Sequence, residues 1–189
     1  VFVQQHMKKY YFDFCGTLIK EQTHEQIKFY CKERKYFSYF IKILIPKPFK
    51  IKFDCYYLKK FNLYSDFSEW LVLNATPSKS LKILKKLLDT NQPVKILTLA
   101  DQIVVEIFLK KHLNITNINV VGSSVKNILS ADTKAQILEN ETDTVFFTDS
   151  LMDLNAIKVA SSVVISEFCS PSMRKYAIKN KYIFVGDYE

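Results

Sequence analysis

Glycine and proline are scarce in this chain, at three and five of 189 residues. Nothing in it therefore reads as a flexible linker, a disordered arm or a low-complexity tract. Cysteine is sparse and poorly spaced for structural chemistry. Cys15, Cys31, Cys55 and Cys169 form no C-x-x-C pair and no cluster with histidine at metal-ligand spacing. That excludes a disulfide framework and a zinc ribbon, and leaves free thiols in a reducing cytoplasm as the expectation. Long apolar runs are also missing. The stretch Tyr36 to Ile45 is too short to cross a bilayer and is broken by Lys42. Lys8-Lys9 ahead of an apolar segment imitates a secretory leader, yet Asp13 interrupts the segment and no small-residue cleavage site follows. The first six residues fit no structural pattern, and Met7 is a candidate native start. Acid is in short supply: 27 Lys and Arg stand against 19 Asp and Glu, a net charge of +8. An anionic partner would suit this balance, but no nucleic-acid-binding motif accompanies it, so no nucleic-acid partner is expected.

What is present is ordinary globular material, 48% hydrophobic and 24% charged, enough for one core with a small appended domain. Lys8 to Phe14 is aromatic and apolar, as a buried strand is, and Gly16-Thr17 ends it. From Lys20 to about Asn91 the texture is lysine and aromatic residues at helical spacing, broken at Pro46 and Pro48. Phe53 to Leu73 reads as one or two helices and Ser78 to Leu88 as a clearer one, with Leu81, Leu84, Leu87 and Leu88 on one face. Strands and helices then alternate: strands at Val94–Leu99, Ile118–Val121, Thr144–Thr148, Ser162–Ile165 and Tyr182–Val185, and helices at Ile103–Leu113, Lys134–Leu138, Leu151–Val159 and Pro171–Ile178. Asp132 or Thr133 is the expected cap of the helix at Lys134. Repeated β-α units predict an α/β fold with a parallel sheet.

Two apolar runs end in a carboxylate. Tyr10-Tyr11-Phe12-Asp13-Phe14-Cys15-Gly16-Thr17-Leu18 is one, and Val145-Phe146-Phe147-Thr148-Asp149-Ser150-Leu151-Met152-Asp153 is the other. Open α/β sheets bind ligands at the carboxyl ends of their strands. Side by side, these ends would offer oxygen ligands to a divalent cation, here Mg²⁺ held by Asp13, Asp149 and Asp153. Asp13 would attack phosphorus as a carboxylate nucleophile. Lys134 would add positive charge beside the transferring oxygens, and Thr98 and the backbone N–H groups at Gly16 and Thr17 would hydrogen-bond them. Each residue also has a plain alternative. Asp13 would serve as a turn former, Asp149 and Ser150 as helix caps and Thr98 as an ordinary sheet residue, while Lys126 competes with Lys134.

Four segments in order make the chain resemble the haloacid dehalogenase superfamily: Asp13 with Gly16-Thr17-Leu18, Thr98 at a strand end, Lys134 opening a helix, and Asp149-Ser150-Leu151-Met152-Asp153. The resemblance implies a Rossmann-like core (1–19 and 92–189), a mainly helical C1 cap (20–91), Mg²⁺ dependence and phosphoryl transfer through an aspartyl-phosphate. It is most similar to the phosphoserine-phosphatase-like branch. It also implies that the main-chain carbonyl of Cys15 joins the metal ligands. The expected activity is a phosphatase acting on a small organic phosphate.

Two positions depart from that pattern. Phosphatases of this family usually carry a second aspartate two residues after the nucleophile, to protonate the leaving group and activate water. Cys15 stands there. A thiol is a poor match for that work. Three readings remain open: a phosphatase whose proton comes from elsewhere (His24 and Glu21 are near in sequence), a phospho-ligand-binding or regulatory protein with little turnover, or another reaction of the family such as phosphotransfer or dehalogenation. The thiol itself would make activity redox-sensitive, or be an inert filler. Gln22 replaces the acidic residue that binds the amino group of phosphoserine, which argues against that substrate. The lysine-aromatic mixture from Lys28 to Phe53 would suit a polyanionic substrate or weak contact with a membrane surface; alternatively, the aromatics pack the cap and the lysines face water.

Overall fold

The computed structural model describes residues 7–46, 49–115 and 118–188. The first six residues and Pro48, both read above, lie outside the described residues. Six strands, β1 (Lys9–Phe12), β2 (Val94–Asp101), β3 (Asn119–Ser123), β4 (Thr144–Thr148), β5 (Ser162–Ile165) and β6 (Ile183–Phe184), pair in parallel in the order β3-β2-β1-β4-β5-β6. The order reverses between β1 and β4, which is where such sheets place ligands. The central strands are buried on both faces, so they read as continuous apolar runs. Phe12 and Phe147 stack across β1 and β4 with ring centroids 4.1 Å apart.

Helices α1 (Thr23–Glu33), α2 (Lys50–Lys60) and α3 (Tyr64–Asn74), with a 3-10 segment Phe37–Leu44, form between β1 and β2. The predicted break at Pro46 is observed between the 3-10 segment and α2. Helix α4 (Lys79–Asp89) follows, then α5 (Gln102–Leu113), α6 (Ala131–Glu139), α7 (Leu154–Val159) and α8 (Pro171–Lys179). Ser78 caps α4 by accepting from the Leu81 N–H, and Asp101 caps α5 by accepting from Ile103 and Val104. Ser130, not Asp132 or Thr133, caps α6: its hydroxyl accepts from the Thr133 N–H, so the helix starts a turn earlier and Lys134 sits inside it. The predicted helix at Leu151 begins as a 3-10 turn, Leu151–Asp153, capped by Ser150.

The two ends of the insertion meet at the edge of the core. Ile19 pairs with Pro77, Lys20 donates to the Thr76 carbonyl at 2.9 Å, and Ser78 donates to that of Leu18 at 3.0 Å. These bonds tie the chain's exit from the core to its return. Beyond them, α4 packs on β2 and on the turn at Val185–Asp187, with Leu81 and Leu84 in the main core. We therefore propose a cap spanning 20–76, with α4 belonging to the core. One apolar cluster runs through both parts, from Phe14 and Phe108 to Tyr30, Phe67 and Tyr39. Lysines of the cap do not all face water: Lys42 is buried against Asp54, with Tyr39 donating to the same carboxylate at 2.6 Å.

Candidate active site

Asp13 follows β1 directly, and its N–H still donates to the Phe147 carbonyl at 2.9 Å. The chain then leaves the sheet, because the Phe14 carbonyl accepts from Thr17, Leu18 and Ile19 in one tight turn. The turn fixes Gly16 at φ +72°, and a Cβ there would lie 2.1 Å from Asp149 Oδ2. Only glycine permits both the dihedral and that approach. Asp149 follows β4 directly, one residue beyond the position opposite Asp13 in the register set by the Phe12–Phe147 pairing. Thr98 lies on β2, where the pairing with β3 shifts after Leu97.

These ends, with Lys134 from α6, close on one cavity of about 310 Å³. Asp13, Cys15, Thr98, Lys134, Asp149 and Asp153 all line it. Lys134 is fully buried, and its Nζ lies 3.1 Å from Asp13 Oδ1 and 2.9 Å from Asp153 Oδ1. Lys126, its rival in sequence, is exposed. Burial works against the ammonium, but the Asp13 and Asp153 carboxylates outweigh it and hold its pKa above the ordinary value. The Oγ of Thr98 accepts from the Ala100 N–H at 3.2 Å, leaving its own proton for an incoming oxygen.

Three aspartates share this one ammonium. Burial, partly opposed by Lys134, pushes the Asp13 carboxyl up to about 6, and burial with repulsion from Asp13 and Asp153 pushes Asp149 up to about 7. Such a pair is short of positive charge. Its oxygen donors suit Mg²⁺, which is commonly bound through one or two carboxylates with retained waters. Among the described residues, no group of three or more His, Cys, Asp and Glu side chains is arranged to hold a metal. The donors that suit the cation are thus the two carboxylates Asp13 and Asp149, on a cavity that Cys15 also lines.

Several predicted residues do something other than expected. Asp153 is bound by both contacts of Lys134 and by the Thr148 hydroxyl at 2.8 Å, so it anchors the lysine instead of offering a free ligand. Gly16 and Thr17 do not line the cavity. The Thr17 hydroxyl donates to Asp149 Oδ1 at 3.5 Å and its N–H is held by Phe14 at 3.3 Å, so both residues brace Asp149. Glu21 binds Thr76 through both oxygens and faces away, whereas His24 and Gln22 line the cavity. The Cys15 thiol accepts from the Thr23 N–H at 3.4 Å. Burial and the nearby Asp13 charge push it up to about 12, so it stays protonated and unreactive. Sequence reading missed Thr148, Thr23 and Ser166. Ser166, just after β5, donates to the Gly16 carbonyl at 2.7 Å; its place at a strand's carboxyl end was the available signal.

No family model matches the sequence, and no curated protein does. Solved structures match in shape. A phospho-aspartyl intermediate analogue of phosphoserine phosphatase superposes with a TM-score of 0.58 at 17% identity, covering 94% of this chain and 92% of that one. A haloacid dehalogenase-like hydrolase from Streptococcus pneumoniae gives 0.54 at 18%, covering 94% and 93%. The chain has the haloacid dehalogenase fold. A protein of unknown function from Bordetella pertussis Tohama I has the same shape, with a TM-score of 0.68 at 10% identity, covering 94% and 97%. At these identities the likeness is one of fold, and it spans nearly all of each chain. Among the described residues, no helix is long and apolar enough to cross a membrane.

The charge shortage gives a direct test of the metal pair. A carboxyl whose native pKa is raised favours the native state when protonated. That contribution is complete below the ordinary value of 3.8 and is lost as pH rises through about 6 and 7. Without divalent cation, this cluster should therefore cost stability between pH 4 and 8. Mg²⁺ should restore it: at about 100 times its Kd, binding contributes about 2.7 kcal/mol, or about 5–10 °C in Tm for a chain of this size. The shift should be largest at pH 8, small at pH 5 and lost in Asp149→Asn. Thermal unfolding in Mg²⁺ and in EDTA measures it; equal shifts at both pH values would remove Asp13 and Asp149 as the pair.

Proposed function

We propose that the protein is a Mg²⁺-dependent phosphatase that hydrolyses a small organic phosphate monoester through an aspartyl-phosphate on Asp13. The observation that carries this reading is Lys134, buried and held between Asp13 and Asp153 at the carboxyl ends of the sheet, with Asp149 and Thr98 on the same cavity. Asp13 and Asp149 would hold the cation, which screens the charge of the phosphate from that of the nucleophile. Lys134 and the Thr98 hydroxyl meet the oxygens that gain charge during transfer. Asp153 keeps the lysine in place, and Gly16, Thr17 and Ser166 keep Asp149 in place. The cap roofs the cavity and restricts water, as lids do.

The cavity narrows the substrate. Ile27, Ile51, Leu58, Phe67 and Val104 make its walls mainly apolar, and Gln22 brings no charge. Asp54 is already paired with Lys42. Such walls favour an alcohol with an apolar body over a zwitterion such as phosphoserine. Free thiols at all four cysteines fit our placement of the protein in the cytoplasm.

A panel of phosphate monoesters, assayed for phosphate release in Mg²⁺ and in EDTA, tests the reading. Turnover should require Mg²⁺ and favour esters of apolar alcohols. Tight binding of the esters with no release would favour a phospho-ligand-binding or regulatory protein instead. The protonated Cys15 thiol is the observation behind that second reading. Transfer to an acceptor other than water would register as consumption of ester without free phosphate, and dehalogenation as halide released from a haloacid with no turnover of the esters.

A further inference from the structure

The cap carries a segment with its side chains inverted. In the 3-10 segment Phe37–Leu44, Lys42 points inward and is 4% exposed, while Ile43 and Leu44 are 77% and 82% exposed. The ion pair with Asp54 and the bond from Lys42 to the Tyr39 hydroxyl at 2.8 Å set this register. With Tyr39 and Lys42 turned inward, Phe37, Ile41, Ile43 and Leu44 are left in solvent. At 77% and 82% exposure, Ile43 and Leu44 bury little apolar area among the described residues. Phe29 on α1 and Phe49 just before α2 are exposed as well, and α1, α2 and the 3-10 segment pack on one another.

Charge is concentrated in the same stretch of the chain. Between Lys28 and Lys60 stand ten basic residues and two acidic ones, a net of +8, which equals the net charge of the entire chain. The rest of the protein is balanced. One of the two acids, Asp54, is already neutralised inside the cap. Lys28, Lys32, Lys35, Lys52, Lys59 and Lys60 all face solvent.

We propose that this part of the cap, the 3-10 segment with the exposed sides of α1 and α2, docks on the surface of a bilayer containing anionic lipids. Exposed aliphatic and aromatic side chains set among lysines match the interfacial region, where apolar groups enter the acyl boundary and lysines meet lipid phosphates. A nucleic acid would be met by the charge but gives Ile43 and Leu44 nothing to bury against. A second copy would bring two strongly basic faces together. The proposal is independent of catalysis.

Sedimentation with vesicles of phosphatidylcholine, alone and with phosphatidylglycerol, tests it. The protein should bind the phosphatidylglycerol vesicles at least about tenfold better, and added salt should weaken the binding. Ile43→Glu with Leu44→Glu should lower binding about tenfold or more, and Lys28→Glu with Lys32→Glu should lower it by a similar factor. These side chains are exposed, so circular dichroism and Tm should stay unchanged in both variants. Equal pelleting with both vesicle types would overturn the proposal, as would full binding by the Ile43/Leu44 variant. So would self-association by sedimentation velocity that the same variant abolishes, or tighter binding to a nucleic-acid duplex than to the vesicles.

Discussion

Asp13→Asn should reduce phosphate release by about 10⁴-fold or more, because an amide does not supply the carboxylate that attacks phosphorus. The same change should not unfold the protein. Lys134 keeps both contacts with Asp153, and removing one of three crowded acids relieves the repulsion felt by Asp149. In EDTA at pH 8 the variant's Tm should therefore equal or exceed that of the parent, while its stabilisation by Mg²⁺ shrinks. Loss of activity with a preserved or raised Tm separates a nucleophile from a fold-maintaining residue. Full activity in a variant shown by mass spectrometry to retain asparagine would remove Asp13 from the reaction. A coincident collapse in Tm would mean that the carboxylate is structural.

Why this prediction can be made from sequence, and others cannot, follows from the range of the interactions involved. Asp13 and Asp149 are legible because each directly follows a short buried strand, and strand character is a local property of Tyr10-Tyr11-Phe12 and Val145-Phe146-Phe147. Their closeness follows from β1 and β4 being neighbours in a parallel sheet. Thr98 and Lys134 are legible only by their order along the chain; a lone threonine or lysine carries no local signal. The contacts of Asp153 are not legible, because its partners, Lys134 and Thr148, are set by how α6 and the end of β4 pack together. The cap boundary we propose is hard to see in sequence for a similar reason. Helix follows helix on both sides of Pro77, whereas the proposed boundary is a pairing of Ile19 with Pro77 across the whole insertion. The burial of Lys42 is not legible either, because nothing in its own neighbourhood announces Asp54, one helix further on.

Cys15→Asp should raise turnover of alkyl phosphates by about 10²–10⁴-fold, the usual contribution of a positioned acid and base. The native thiol, pushed up to about 12, is too weak an acid to protonate an alkoxide efficiently and is never a base near neutral pH. The loop is nonetheless shaped for a carboxylate at this position. Thr23, the first residue of α1, turns both its N–H and its hydroxyl toward the side chain of residue 15, each 3.4 Å from the sulfur. An aspartate would accept from both, at a helix N-terminus that favours negative charge. Burial and the neighbouring Asp13 would hold its pKa up, which suits a group that must first give a proton and then take one from water. The gain should depend on the leaving group. Esters of simple alcohols should respond strongly, whereas a nitrophenyl phosphate, whose leaving group departs unprotonated, should respond within a fewfold. The ratio of the two rates therefore reports proton transfer and is insensitive to changes in folding or expression that scale both. An unchanged ratio would show that the proton already reaches the leaving group from another donor on the cavity, for which His24, which lines it, is a candidate.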